Sequence, residues 1–104
     1  MQIEFAKRDL RTLYETGACR KLRLPDQVTR DFVVTVRMLE AAKDIYDLWQ
    51  EPSLKFEKLH GSKSRYSVRL GRKWRLEMEI EWENDQKTVG ILTLVEISSH
   101  YGGR

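Results

Sequence analysis

Residues 66–82 read YSVRLGRKWRLEMEIEW, two strands with a turn between them. In the second strand Trp74, Leu76, Met78, Ile80 and Trp82 alternate with Arg75, Glu77, Glu79 and Glu81. This strict period of two demands one buried face and one wet face. Tyr66, Val68 and Leu70 must then lie on the buried side as well. A two-residue Gly71-Arg72 turn would pair Leu70 with Lys73 and Val68 with Arg75, mixing apolar and charged groups on one face. A three-residue connection pairs Leu70 with Trp74 and Val68 with Leu76, as the pattern requires; a slip of one residue inverts the strand. Arg69 then faces Arg75 on the wet side. Like charges opposite each other are unfavourable unless an acid or an anion joins them. Glu77 and Glu79 are the intramolecular candidates for that role, and a phosphate is the functional one.

On the C-terminal side, residues 88–98 form a run apolar on both faces, which suits a central strand covered by helices on one side. Gly90 within it is the expected site of a bulge. On the N-terminal side, residues 55–60 make a further strand, and Pro52 stops anything helical before it. Pro25 suits the first turn of a helix running to about Trp49, with Val28, Phe32, Val36, Leu39, Tyr46 and Trp49 as its apolar recurrence. A shorter helix over 7–16 presents Leu10, Leu13 and Tyr14 and ends at Gly17. Residues 2–6 alternate as a first strand. The order β-α-α-β-β-β-β predicts an α+β domain, a small mostly antiparallel sheet with two N-terminal helices packed on one face. At 104 residues the chain forms one domain, 1–104.

Nineteen bases against 16 acids leave a net charge of only +3, so the distribution matters more than the sum. Lys63 to Arg75 holds six Lys or Arg and no acid, whereas Glu77 to Asp85 holds five acids and no Lys or Arg. Such a patch steers a polyanion to one face, or makes cross-strand ion pairs in a solvated sheet. Cys19 is the lone cysteine, which fits a reducing cytosol. The first ten residues lack the apolar core of a signal peptide, and no apolar run approaches membrane-spanning length. A soluble cytoplasmic protein is expected, with no membrane partner. His60, His100 and Cys19 have no metal-ligand spacing, and neither a phosphate-binding glycine loop nor a Ser-His-Asp context occurs, so no metal or cofactor is expected.

The strings KLHGSKSRYSVRL (58–70), WRLEMEIEW (74–82) and VEISSHYGG (95–103), in this order, resemble the RelE/HigB group of toxins from bacterial toxin–antitoxin pairs, also called plasmid maintenance system killer proteins. The resemblance implies a RelE/ParE-like sheet whose helix-free face binds RNA, and a ribosome-dependent, metal-independent mRNA endonuclease that inhibits translation. It also implies an antitoxin partner, often carrying a helix-turn-helix. On that pattern Arg75 takes the place of the arginine that contacts the scissile phosphate region, and Tyr66 takes an aromatic position. A lysine often precedes the glycine where this chain has His60 before Gly61. The pattern often closes Asp-Tyr-His, where this chain has Ser99, His100 and Tyr101. Other proteins of this fold inhibit DNA gyrase, and fold alone does not fix the target.

RNA carries its own nucleophile, the 2′-hydroxyl. Cleavage needs a base for its proton, cations for the crowded phosphorane and an acid for the departing 5′-oxygen. His100 is expected to move protons, with His60 second and Tyr101 third. Arg75 and Arg69 supply fixed guanidinium charge. Lys63, Arg65, Arg72 and Lys73 complete the RNA-binding set. Tyr66, Trp74 and Trp82 share parity with Leu and Ile and belong to the core. The competing readings are a non-enzymatic gyrase inhibitor and a non-toxic RNA- or protein-binding module.

Overall fold

A computed structural model describes residues 1–99 of the chain. The elements are β1 (Gln2–Phe5), α1 (Arg8–Thr16), α2 (Asp26–Ala41), α3 (Ile45–Trp49), β2 (Glu57–Lys58), β3 (Arg65–Leu70), β4 (Trp74–Trp82) and β5 (Gly90–Ser98). Short 3-10 turns occupy Arg20–Leu22 and Pro52–Leu54. The strands form one sheet in the order β1-β5-β4-β3-β2, with β1 parallel to β5 and the other neighbours antiparallel. This is the expected α+β architecture, with three helices rather than two.

The long helix expected over 26–49 is two helices. The apolar spacing continues across the break, but the backbone turns extended at Ala42 (ψ 136°). Asp44 then caps α3 by accepting from Asp47 N–H at 3.2 Å, while Asp47 accepts from Lys43 N–H at 2.8 Å. The Met1 ammonium donates to the carbonyls of Leu39, Glu40 and Ala42, satisfying groups that a helix C-terminus leaves open. Pro25 stands one residue ahead of its expected place, as the N-cap of α2. The break also re-aims α3: Ile45 and Leu48 are buried, whereas Tyr46 and Trp49, expected on the apolar face, are more than half exposed.

The hairpin register is as the alternation requires, with Val68 opposite Leu76, Leu70 opposite Trp74 and Arg69 opposite Arg75. Leu76, Met78, Ile80, Leu92 and Leu94 face the helices and pack with Phe32, Val36 and Leu39 of α2. Each such side chain contributes about 1.5–3 kcal/mol. A partly exposed ion pair contributes at most about 1 kcal/mol, so the core holds the fold and the charges shape its surface. Tyr66 is buried, and Trp74 and Trp82 pack against the core, as their parity predicts.

The bulge is not at Gly90, which pairs regularly with Trp82. Glycine is required there by space: a Cβ would lie 2.7 Å from Ile80 Cγ2 and 2.8 Å from the Glu81 carbonyl oxygen. The irregularity falls instead between Glu77 and Met78, which face Glu96 and Leu94 and leave Val95 as the extra residue. It inverts the parity of the last turn of chain in β5. Glu96 and Ser98 consequently share the open, helix-free face with Glu77 and Arg75.

Candidate nucleic-acid interface

The open face is organised around Arg75. It is buried (8% exposed) although it lies on the face without helices. Its Nε donates to Ser67 Oγ at 3.1 Å, and one terminal nitrogen donates to Ser67 Oγ at 2.8 Å and to the Lys55 carbonyl at 2.6 Å. Glu57 on β2 adds an ion pair at 3.3 Å. The β2–β3 register makes this possible, since Glu57 lies opposite Ser67. On the other side of β4, Arg75 lies opposite Ser98, the last residue of β5. One guanidinium thus ties β2, β3 and the segment before β2 into a fixed positive centre beside the exit of the central strand.

The acids expected to relieve the Arg69–Arg75 repulsion, Glu77 and Glu79, are engaged by a third arginine. Arg65 takes both, at 3.1 Å from Glu77 and 2.9 Å from Glu79. Burial of Arg65 works against its charge, but hydrogen bonds to Glu79 and then Glu77 outweigh this and hold the guanidinium above its ordinary pKa. Arg69 turns away from Arg75: its Nε donates to the Gly71 carbonyl at 2.7 Å, and its side chain lines a groove against α2. The two guanidinium groups thus have separate partners, Ser67, Lys55 and Glu57 for Arg75 and the Gly71 carbonyl for Arg69.

Two groups of predicted residues therefore separate. Arg69, Arg72, Lys73 and Arg75 gather at the β3–β4 turn, beside the exit of β5, with Arg72 and Lys73 exposed. His60, Lys63 and Arg65 lie at the other end of β3, about 17 Å away at the usual rise per strand residue. His60 and Lys63 are exposed on the β2–β3 connection. His100 and Tyr101 lie outside the described residues. Glu57, Ser67 and Lys55 are the members of the site that sequence reading misses. Their signal was the pairing of β2 with β3, which two residues of edge strand do not announce.

Chemically, the corner offers buried fixed charge, exposed cations and a carboxylate, Glu57, held beside the arginine. Away from the corner the open face turns acidic, with Glu77, Glu79 and Glu81 along β4 and Glu96 opposite Glu77. The field of the open face therefore favours anions at the turn end and disfavours them along β4. Among the described residues no three His, Cys, Asp or Glu side chains gather as metal ligands, and no helix is long and apolar enough to cross a membrane.

No curated protein matches the chain. Residues 3–91 match the family model described as the RelE-like toxin of the type II toxin–antitoxin system HigB. The matched span takes in the arginine clamp and the cationic turn and stops inside β5. With that span covering most of its length and the sheet and helices in the order that such toxins imply, the chain belongs to the HigB-like family of RelE-like toxins of type II toxin–antitoxin systems.

Proposed function

We propose that this toxin cuts mRNA on the ribosome, without a metal ion, by activating the 2′-hydroxyl against the adjacent phosphate. The observation that carries the reading is the register of Arg75 with Ser98. The bulge at Val95 sets Ser98 on the open face beside the clamped arginine, two residues ahead of His100 in the sequence. Arg75 supplies preorganised positive charge for the phosphorane, since its hydrogen bonds keep it from reorganising as charge develops. Arg72 and Lys73 hold flanking phosphates, with Arg69 at their edge. His100 moves the proton to or from oxygen, with Tyr101 as its neighbour. His60, Lys63 and Arg65 take no part in bond breaking, because they stand at the far end of β3.

Two exposed cations, Arg72 and Lys73, flank the buried arginine, so the corner grips only a few phosphates. Alignment of the 2′-oxygen with the phosphate falls to the ribosome, a positioning effect worth up to ~7–11 kcal/mol in favourable cases. Free RNA is accordingly a poor substrate. A cognate antitoxin, of the helix-turn-helix kind, holds the toxin inactive.

The test maps 5′ ends of mRNA after induction, alongside a gyrase supercoiling assay. New ends in translated messages that vanish with His100→Ala and with Arg75→Ala support the reading. Full toxicity in both variants, or intact mRNA with stalled supercoiling, overturns it.

A further inference from the structure

We infer that the groove along α2 receives an amphipathic helix of the cognate antitoxin, with carboxylates at the end seated by Arg69 and basic side chains at the end seated by Asp47 and Glu51. Two cavities make up the groove. One, of about 410 Å³, lies between α2 and the β3–β4 turn, with Val34 and Met38 on one wall and Leu54 and Arg69 on the other. The second, of about 270 Å³, continues along α2 past Ala41 to Asp47 and Glu51. Met38 and Leu54 line both, so the trough is continuous. From Asp31 to Ala42 the helix rises about 16 Å, room for about three turns of a docked helix.

Val34, Met38, Ala41 and Leu54 give the trough apolar side chains between its polar ends, with Thr35 and Ser53 among them, and Val34 is 55% exposed on a helix whose other outward residues include Arg30, Arg37 and Glu40. The ends differ in charge. At one, Arg69 uses only its Nε among the described residues, and exposed Arg72 and Lys73 follow it, so cations outnumber the one carboxylate there, Asp31, which accepts from the neutral amide of Gln27. At the other, Asp47 accepts from the Lys43 backbone, and Glu51 accepts from Ser53; neither meets a cation among the described residues. A segment of uniform charge is repelled at one end. A helix with the opposite charge order fits both and is seated in one register.

This inference rests on the family assignment, which implies an antitoxin, and not on the nuclease reading. The test therefore reads binding rather than cleavage. The chain is co-expressed with the antitoxin of its own operon, and the complex is compared for wild type, Val34→Asp and Ala41→Arg, with Arg37→Ala as an off-groove control. Val34 and Ala41 are both exposed, so the variants fold. Expected are at least tenfold weaker complexes for the two groove variants, growth arrest despite the antitoxin, an unchanged control, and hydrogen-exchange protection over 34–41 and 53–54 in the wild-type complex. Wild-type affinity in both groove variants overturns the proposal, as does protection confined to the open sheet face. So does a dimer of the toxin alone that both variants abolish, which would give the groove to a second copy.

Discussion

Arg75 holds three stretches of chain with one guanidinium, and its burial separates two roles that a surface arginine would merge. Arg75→Ala removes the bonds to Ser67, the Lys55 carbonyl and Glu57 together. Hydrogen bonds to charged groups of this kind contribute roughly 1.5–3 kcal/mol, so the variant should lose about 2–3 kcal/mol in urea denaturation. Ser67→Ala should lose about 1 kcal/mol and leave the charge in place. If the charge matters for the reaction, Ser67→Ala keeps most translation inhibition at temperatures where both variants are folded, and Arg75→Ala does not. Equal loss in the two would reduce Arg75 to a strut. On α1, Tyr14 donates its phenol proton to Glu40, and that bond, followed by desolvation, raises the phenol above its ordinary value of 10.0. The bond's contribution to stability is fully present below that value and is lost as pH rises through the raised one. A phenolate absorbance titration of wild type minus Tyr14→Phe should show the late midpoint, and Glu40→Ala should bring it down.

The elements show which features the sequence carries plainly. The β3–β4 hairpin was legible because every residue from Trp74 to Trp82 votes for the same parity, and a three-residue connection is the one that matches it. The break between α2 and α3 was not. Its apolar spacing runs straight through, and only the Asp44 and Asp47 side chains, accepting from the Asp47 and Lys43 N–H groups, mark a new start, a signal that competes with helix periodicity and is weaker to the eye. Asp44→Ala should therefore cost about 1 kcal/mol and loosen α3, visible as faster amide exchange at Asp47. The general association of strand glycines with bulges points to Gly90, but that glycine answers to crowding by Ile80 and Glu81. Gly90→Ala should cost about 1–3 kcal/mol by overpacking, with no change in register. The true bulge, at Val95, leaves no mark in composition. It is needed because Leu94 and Ile97 must both face inward, three positions apart where a regular strand allows two or four.

Over the whole molecule, one run of six cations between Lys63 and Arg75 becomes two sites, because the run spans the length of β3 and stops just past the turn, which leaves its ends at opposite ends of the sheet. Charge density along the chain could not show this, and neither could it show that Arg65 is matched by two glutamates while Arg72 and Lys73 face solvent. The clamp was hidden for a similar reason, since Lys55, Glu57, Ser67 and Arg75 meet only once β2 is added to the edge. On the proposed nuclease reading, the division makes a sharp expectation about which end of the sheet would hold RNA. Arg72→Glu with Lys73→Glu reverses the charge beside the β5 exit, and Lys58→Glu with Lys63→Glu does the same at the far end. Both pairs are exposed, so both proteins should melt like wild type. The first pair should weaken inhibition of a translating extract about tenfold or more, the ratio produced by about 1.4 kcal/mol of lost binding. The second should stay within about twofold, less than 0.5 kcal/mol on the same scale. Raising salt should narrow the gap, because exposed cations act on phosphate through a screened field. Equal sensitivity of the two ends would mean that RNA runs along the whole edge of the sheet, and the corner would lose its claim to the scissile phosphate.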